Sequence, residues 1–148
     1  MLQPNVRLDV LIAPLTPQAL LPKKAHPSDA GFDLAIPFDC MLLPHAHQQI
    51  DLSIALQIPS GWYGQVFGRS SVFRRGISVH PGVIDADYRG TVQLLVYNHF
   101  PVEQQLYRGD RLAQLLLLPV PVVRLLEVSP DQLDQTSRGA GGVGSTGR

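Results

Sequence analysis

The stretch HQQIDLSIALQIPSG, residues 47–61, narrows the possible folds more than any other part of the chain. Ile50, Leu52, Ile54, Leu56 and Ile58 fall at every second position, with Asp51, Ser53 and Gln57 between them. Successive side chains of an extended strand point to opposite faces, so this spacing gathers the apolar groups on one face and leaves the other to water. The spacing predicts a half-buried antiparallel strand. Val92, Leu94 and Val96 repeat it in TVQLLVYNHF, and Val6, Leu8, Val10 and Ile12 repeat it more weakly near the start. Thirteen prolines and thirteen glycines fall mostly between such runs, as in PSGWYG, HPGVID and YRGDR, where they mark turns and stop helices from propagating. Short strands separated by turns predict a sandwich or barrel.

Two short helical turns are expected. Ser70 and Ser71 can cap one in SSVFRRG, and Ser129 precedes Pro130 at the first helical position of another in SPDQLDQ. The run LAQLLLLPVPVVRLL, residues 112–126, is too apolar for a surface strand, and Pro119 and Pro121 exclude a helix. It reads equally as a strand covered on both faces or as one at a subunit contact. At 148 residues, 45% of them hydrophobic, the chain fits one domain with a real core. Twelve acidic and twelve basic residues cancel, so no global field draws it to nucleic acid or an anionic membrane. Cys40 is alone, which excludes an internal disulfide and a cysteine zinc site. With no apolar run of membrane-spanning length and no charged leader, the expectation is a soluble, intracellular, unprocessed protein.

The polar clusters carry the chemistry. In GVIDADYRG, residues 82–90, Asp85 and Asp87 sit between glycines beside Tyr88 and Arg89. An Asp-rich turn alone would be unremarked, but a carboxylate able to take a proton from water, a ring and a cation within five residues suggest a catalytic hairpin. GRSS, residues 68–71, offers a guanidinium fork, two hydroxyls and free backbone N–H groups, all suited to phosphate. Arg108-Gly109-Asp110 spells an adhesion tripeptide but reads as a turn, and His45 and His47 lack further metal ligands nearby. The glycine-rich end RGAGGVGSTGR, residues 138–148, cannot bury enough apolar surface to order itself. It has no P-loop lysine and no helix after it, yet it suits an arm that folds over a polyphosphate.

Taken in order, AGFDL (30–34), GRSS (68–71), GVIDADYRG (82–90), GDRLAQ (109–114) and RGAGGVGSTG (138–147) resemble the five motifs of the trimeric dUTPase family, which hydrolyses dUTP to dUMP and pyrophosphate. The resemblance spans nearly the whole chain. It implies an all-β, distorted jelly-roll or β-barrel subunit with one or two short helical turns, in a homotrimer with a swapped C-terminal arm. Residues 1–137 would form the β domain and residues 138–148 a flexible arm closing over the substrate. By resemblance Asp85 is the catalytic base, Tyr88 packs on the deoxyribose and excludes a 2′-hydroxyl, and the backbone at Val83 and Ile84 pairs with uracil. Arg69, Ser70, Ser71 and Gln114 would hold the phosphates, and Asp33 would reach a magnesium ion (Mg2+) through water. Arg138, Val143, Gly144 and Ser145 of a neighbouring subunit would close the site. The implied partners are dUTP and two further copies of the chain, with no membrane and no direct nucleic-acid binding, in the cytoplasm or nucleus. The implied role is to keep uracil out of DNA and to supply dUMP for dTMP synthesis.

Three positions depart from the family pattern. Val143 stands where an aromatic ring usually stacks on the uracil, Gly68 replaces a common proline, and Thr91 stands where an acidic or amide side chain is frequent. Base stacking is worth about 1–3 kcal/mol, so Val143 keeps open a weakened dUTPase-like trimer that acts as a protein-interaction module. The sibling dCTP deaminase shares the fold, but it needs an active-site glutamate where this chain has Asp85 and Asp87.

Overall fold

The computed structural model describes residues 7–141, which fold almost entirely as β-structure. One four-stranded antiparallel sheet has the order β1 (Leu11–Pro14), β4 (His47–Gln57), β8 (Thr91–Asn98), β6 (Ile77–Val79). A second has the order β2 (Phe32–Ala35), β10 (Arg111–Pro119), β5 (Trp62–Gly68), β7 (Gly82–Ile84). A small ladder joins β3 (Cys40–Leu42) to β9 (Gln104–Leu106). Helical structure is limited to the turn α1 (Ser70–Phe73) and a 3₁₀ turn at Pro130–Gln132. Among the described residues no helix is long and apolar enough to cross a membrane.

The two sheets face each other across one core, in a distorted jelly roll. The period-two residues of β4, with Ile58 just beyond it, build half of it: Ile50, Leu52, Ile54, Leu56 and Ile58 are each no more than 4% exposed. Val92, Leu94 and Val96 of β8 lie beside them, and Leu34, Val66, Ile84, Leu112 and Leu115 come from the opposite sheet. One β4 feature escaped the alternation. Its register against β8 slips between Asp51 and Ala55, where Ser53 takes a left-handed backbone (φ 55°). This bulge keeps the inward set in phase while bending the strand.

Four expectations change. The first strand runs from Leu11 to Pro14, later than the 6–12 alternation suggests; Val6 lies outside the described residues and Leu8 and Val10 precede the strand. Its pairing with β4 places it, not its own weak period. The segment 82–90 is not a hairpin: β7 pairs with β5, while β8 pairs with β4 and β6, so residues 85–90 cross from one sheet to the other. Arg69, not a serine, is the N-cap residue of α1, and it makes no side-chain cap. In the run 112–126 only the part up to Pro119 is strand, and Val122, Val123, Leu125 and Leu126 beyond it are exposed. The second turn is as expected, with Ser129 before Pro130 and the Gln132 side-chain Oε1 accepting from the Ser129 N–H and hydroxyl at 3.0 Å each.

Candidate active site

The central strand β10 brings three of the polar motifs together. Gln114 sits opposite Asp33 of β2 on one side and Phe67 of β5 on the other, and residues opposite one another across a ladder point to the same face. Asp33, Gln114 and Phe67 therefore form one row on the outer face of the sheet. Gly31 leaves room for this row: a Cβ there would come within 2.8 Å of the Gln114 Oε1, and the amide would have to shift. Arg69 follows the end of β5 and is tied back to β10, its N–H donating to the Leu112 carbonyl at 3.1 Å.

The charges pair. Arg69 Nε lies 3.2 Å from one Asp33 carboxylate oxygen and an Arg111 guanidinium nitrogen lies 2.9 Å from the other. Two cations against one carboxylate leave a local excess of positive charge on an otherwise neutral chain. The pairing sits between two open hollows. One is lined by Lys23, Lys24, Asp33 and Arg111, and the other by Arg69, Ser70 and Arg74. Among the described residues the Ser70 and Ser71 hydroxyls have no hydrogen-bond partner, since capping does not use them, and so they remain able to donate. Arg111 was missed in the reading of single motifs although it lies inside GDRLAQ; its signal is a cation one strand away from Asp33.

Asp85, Asp87 and Tyr88 lie elsewhere. Asp85 is exposed at the start of the crossover, its carbonyl accepting from the Tyr88 N–H at 3.1 Å. The Tyr88 hydroxyl donates to the Thr91 carbonyl at 3.0 Å, and its ring folds over Gly90, where a Cβ would collide with it. Arg89 closes the loop on itself by donating to the carbonyls of Ala86 at 2.7 Å and Tyr88 at 2.9 Å. Val83 and Ile84 belong to β7, an edge strand, so alternate backbone groups there point outward and are open to pairing.

Within one chain these two halves do not meet. Continuing the β5–β7 register sets Asp85 opposite Tyr63, whereas Arg69 follows Gly68 at the other end of β5. At about 3.3 Å per residue that is roughly 20 Å, and Gln114, opposite Phe67, stands roughly 13 Å from Asp85 along the sheet. Arg138 is exposed and its Nε donates to the Gly141 carbonyl of its own turn at 2.9 Å. Val143, Gly144 and Ser145 lie outside the described residues.

Among the described residues no three His, Cys, Asp or Glu side chains cluster as a metal site, and His45 and His47 stay a polar loop and strand start. Cys40 is half-buried in the small ladder, opposite Leu106, and burial first, then the nearby Asp110 and Asp39 carboxylates, raise its thiol pKa.

Comparison with known proteins gives one consistent result. The family model described as dUTPase matches residues 18–147. The deoxyuridine 5′-triphosphate nucleotidohydrolase of Nocardia farcinica is 44% identical over 137 residues, covering 90% of this chain and 82% of that protein. That of Candida albicans is 38% identical over 134 residues, covering 90% and 84%. Among solved structures, the dUTPase of Staphylococcus bacteriophage 80alpha with dUpNHpp superimposes with a TM-score of 0.87 at 24% identity, covering 95% of this chain and 99% of that one. The dUTPase of phage phi11 of S. aureus, described with a structural Mg(II) ion, superimposes with a TM-score of 0.77 at 24% identity over 84% of this chain and 99% of that one.

Proposed function

The chain belongs to the dUTPase family, and from that premise we propose that it hydrolyses dUTP to dUMP and pyrophosphate as a dUTP diphosphatase. The observation that carries this reading is the match to relatives of that activity along nearly the whole chain, at up to 44% identity. Pyrophosphate release from dUTP with magnesium, set beside UTP, dCTP and dTTP at equal concentration, tests it. The expected result is rapid release from dUTP alone, falling at least 100-fold in Asp85→Asn, the scale of a lost general base. Release no faster than from that variant would turn the reading to an interaction module.

The residues divide the work as the chemistry requires. The Asp85 carboxylate accepts a proton from water as its oxygen attacks the α-phosphorus; the bond from that phosphorus to the bridging oxygen breaks and pyrophosphate leaves. Arg69, the Ser70 and Ser71 hydroxyls and the Gln114 amide hold the phosphate chain and take up developing charge. The open edge of β7 at Val83 and Ile84 reads the uracil, where a thymine methyl would clash, and the Tyr88 ring packs on the deoxyribose. Magnesium, when bound with the substrate, screens the phosphate oxygens. Asp33 fits an outer contact to it: one carboxylate oxygen accepts from Arg111, the other is ion-paired with Arg69, and both keep lone pairs for water.

The roughly 20 Å along the sheet between Asp85 and Arg69 supports a site shared between copies of the chain, a homotrimer in this reading, because a carboxylate must come within hydrogen-bond reach of the reacting water. In this reading the crossover loop of one copy faces Arg69 and Gln114 of the next, and residues 138–148, with Arg138, Val143, Gly144 and Ser145, close from a third.

A further inference from the structure

The loop that carries Asp85 and Tyr88 is anchored at one point on the other sheet. Where β4 bulges against β8, two extra residues on β4 separate the pairs Asp51–Gln93 and Ala55–Thr91. The Asp51 Oδ1 accepts from the Ser53 N–H at 2.6 Å, which holds the bulge in its left-handed turn. The same oxygen accepts from the Thr91 hydroxyl, the first residue of β8 and the exit of the crossover. A side chain that only capped its own bulge would need no partner across the ladder. The Thr91 carbonyl in turn accepts from the Tyr88 hydroxyl. Two hydrogen bonds, joined through the covalent frame of Thr91, thus connect the bulge to Tyr88, and the ring at their end leans on a residue without a side chain, Gly90.

We infer that Asp51 and Thr91 are positioning residues for sugar selection: they fix the Tyr88 ring in the orientation that refuses a 2′-hydroxyl. This role rests on the reading of Tyr88 given above. Asp51 is exposed and, besides the Ser53 N–H of its own bulge, accepts from Thr91, so its link to the Tyr88 loop runs through Thr91. Loosening the anchor lets the ring swing away. The ratio of kcat/KM for dUTP over UTP then falls while the fold stays intact, because the apolar core under β4 and β8 is untouched.

The test is that ratio in Thr91→Val, which keeps the shape and removes the hydroxyl, and in Asp51→Ala, which removes the acceptor from the other strand. Each lowers it about three- to tenfold, the equivalent of one hydrogen bond. Thr91→Ser restores the wild-type ratio. Tyr88→Phe lowers it to a similar extent, and adding Thr91→Val to it lowers it no further, as expected for groups acting in series. A ratio in both Thr91→Val and Asp51→Ala equal to that of the wild type overturns this role while leaving dUTP hydrolysis standing. A wild-type chain that releases no pyrophosphate from dUTP overturns the underlying reading and this role with it.

Discussion

Asn98 shows how much one buried polar side chain can organise. It is fully buried at the end of β8, and its amide nitrogen donates to the carbonyls of Leu42 at 3.3 Å, Leu43 at 3.1 Å and Val102 at 2.8 Å. Its oxygen accepts from the Phe100 N–H at 3.0 Å and the Gln104 amide at 2.9 Å. The end of β3 and the loop that enters β9, which meet at one end of the small ladder, are therefore fastened to one residue. Asn98→Leu preserves the volume but strands these carbonyls and donors in the interior, where each unpaired group costs about 1–3 kcal/mol. A loss of about 3 kcal/mol is expected, read from the midpoint of urea denaturation at unchanged m-value. A change below about 0.5 kcal/mol would mean that the loops find other partners without strain.

Strand β4 combines two local rules that pull against each other. Its alternation asks for an unbroken extended strand, and its bulge asks for a left-handed residue at position 53, where Ser53 has φ 55°. The left-handed region costs a residue with a Cβ about 1–2 kcal/mol, and glycine avoids that cost but loses up to about 1 kcal/mol more backbone entropy on folding. Ser53→Gly should therefore stabilise the protein by roughly 0.5–1 kcal/mol, seen as a raised denaturation midpoint. Destabilisation would show that the serine contributes through a contact beyond its backbone. Its N–H bond to Asp51 survives the change, so sugar discrimination should stay as in the wild type.

For the molecule as a whole, the separation of its two half-sites is the property that governs function. If the Asp85 loop of one copy completes the Arg69 site of another, two inactive variants can repair each other. Denaturing Asp85→Asn and Arg69→Ala together and refolding the mixture should then restore up to about a quarter of wild-type activity, since random assembly joins two intact halves in roughly that share of sites. No recovery above the separate variants would place both halves in one copy, against the strand register. Much of this molecule was legible in its residues. The inward sets of β4 and β8 follow from period two, the turns follow from proline and glycine, and the ordered motifs point to the dUTPase family. These are local properties, set by the pleat of a strand and by backbone sterics. The crossover at residues 85–90, the bulge at Ser53, the Arg111–Asp33 pair and the exposed run after Pro119 were decided by tertiary structure. In each of these, strands distant in the chain choose their partners by burying apolar faces together, and that choice depends on every other strand.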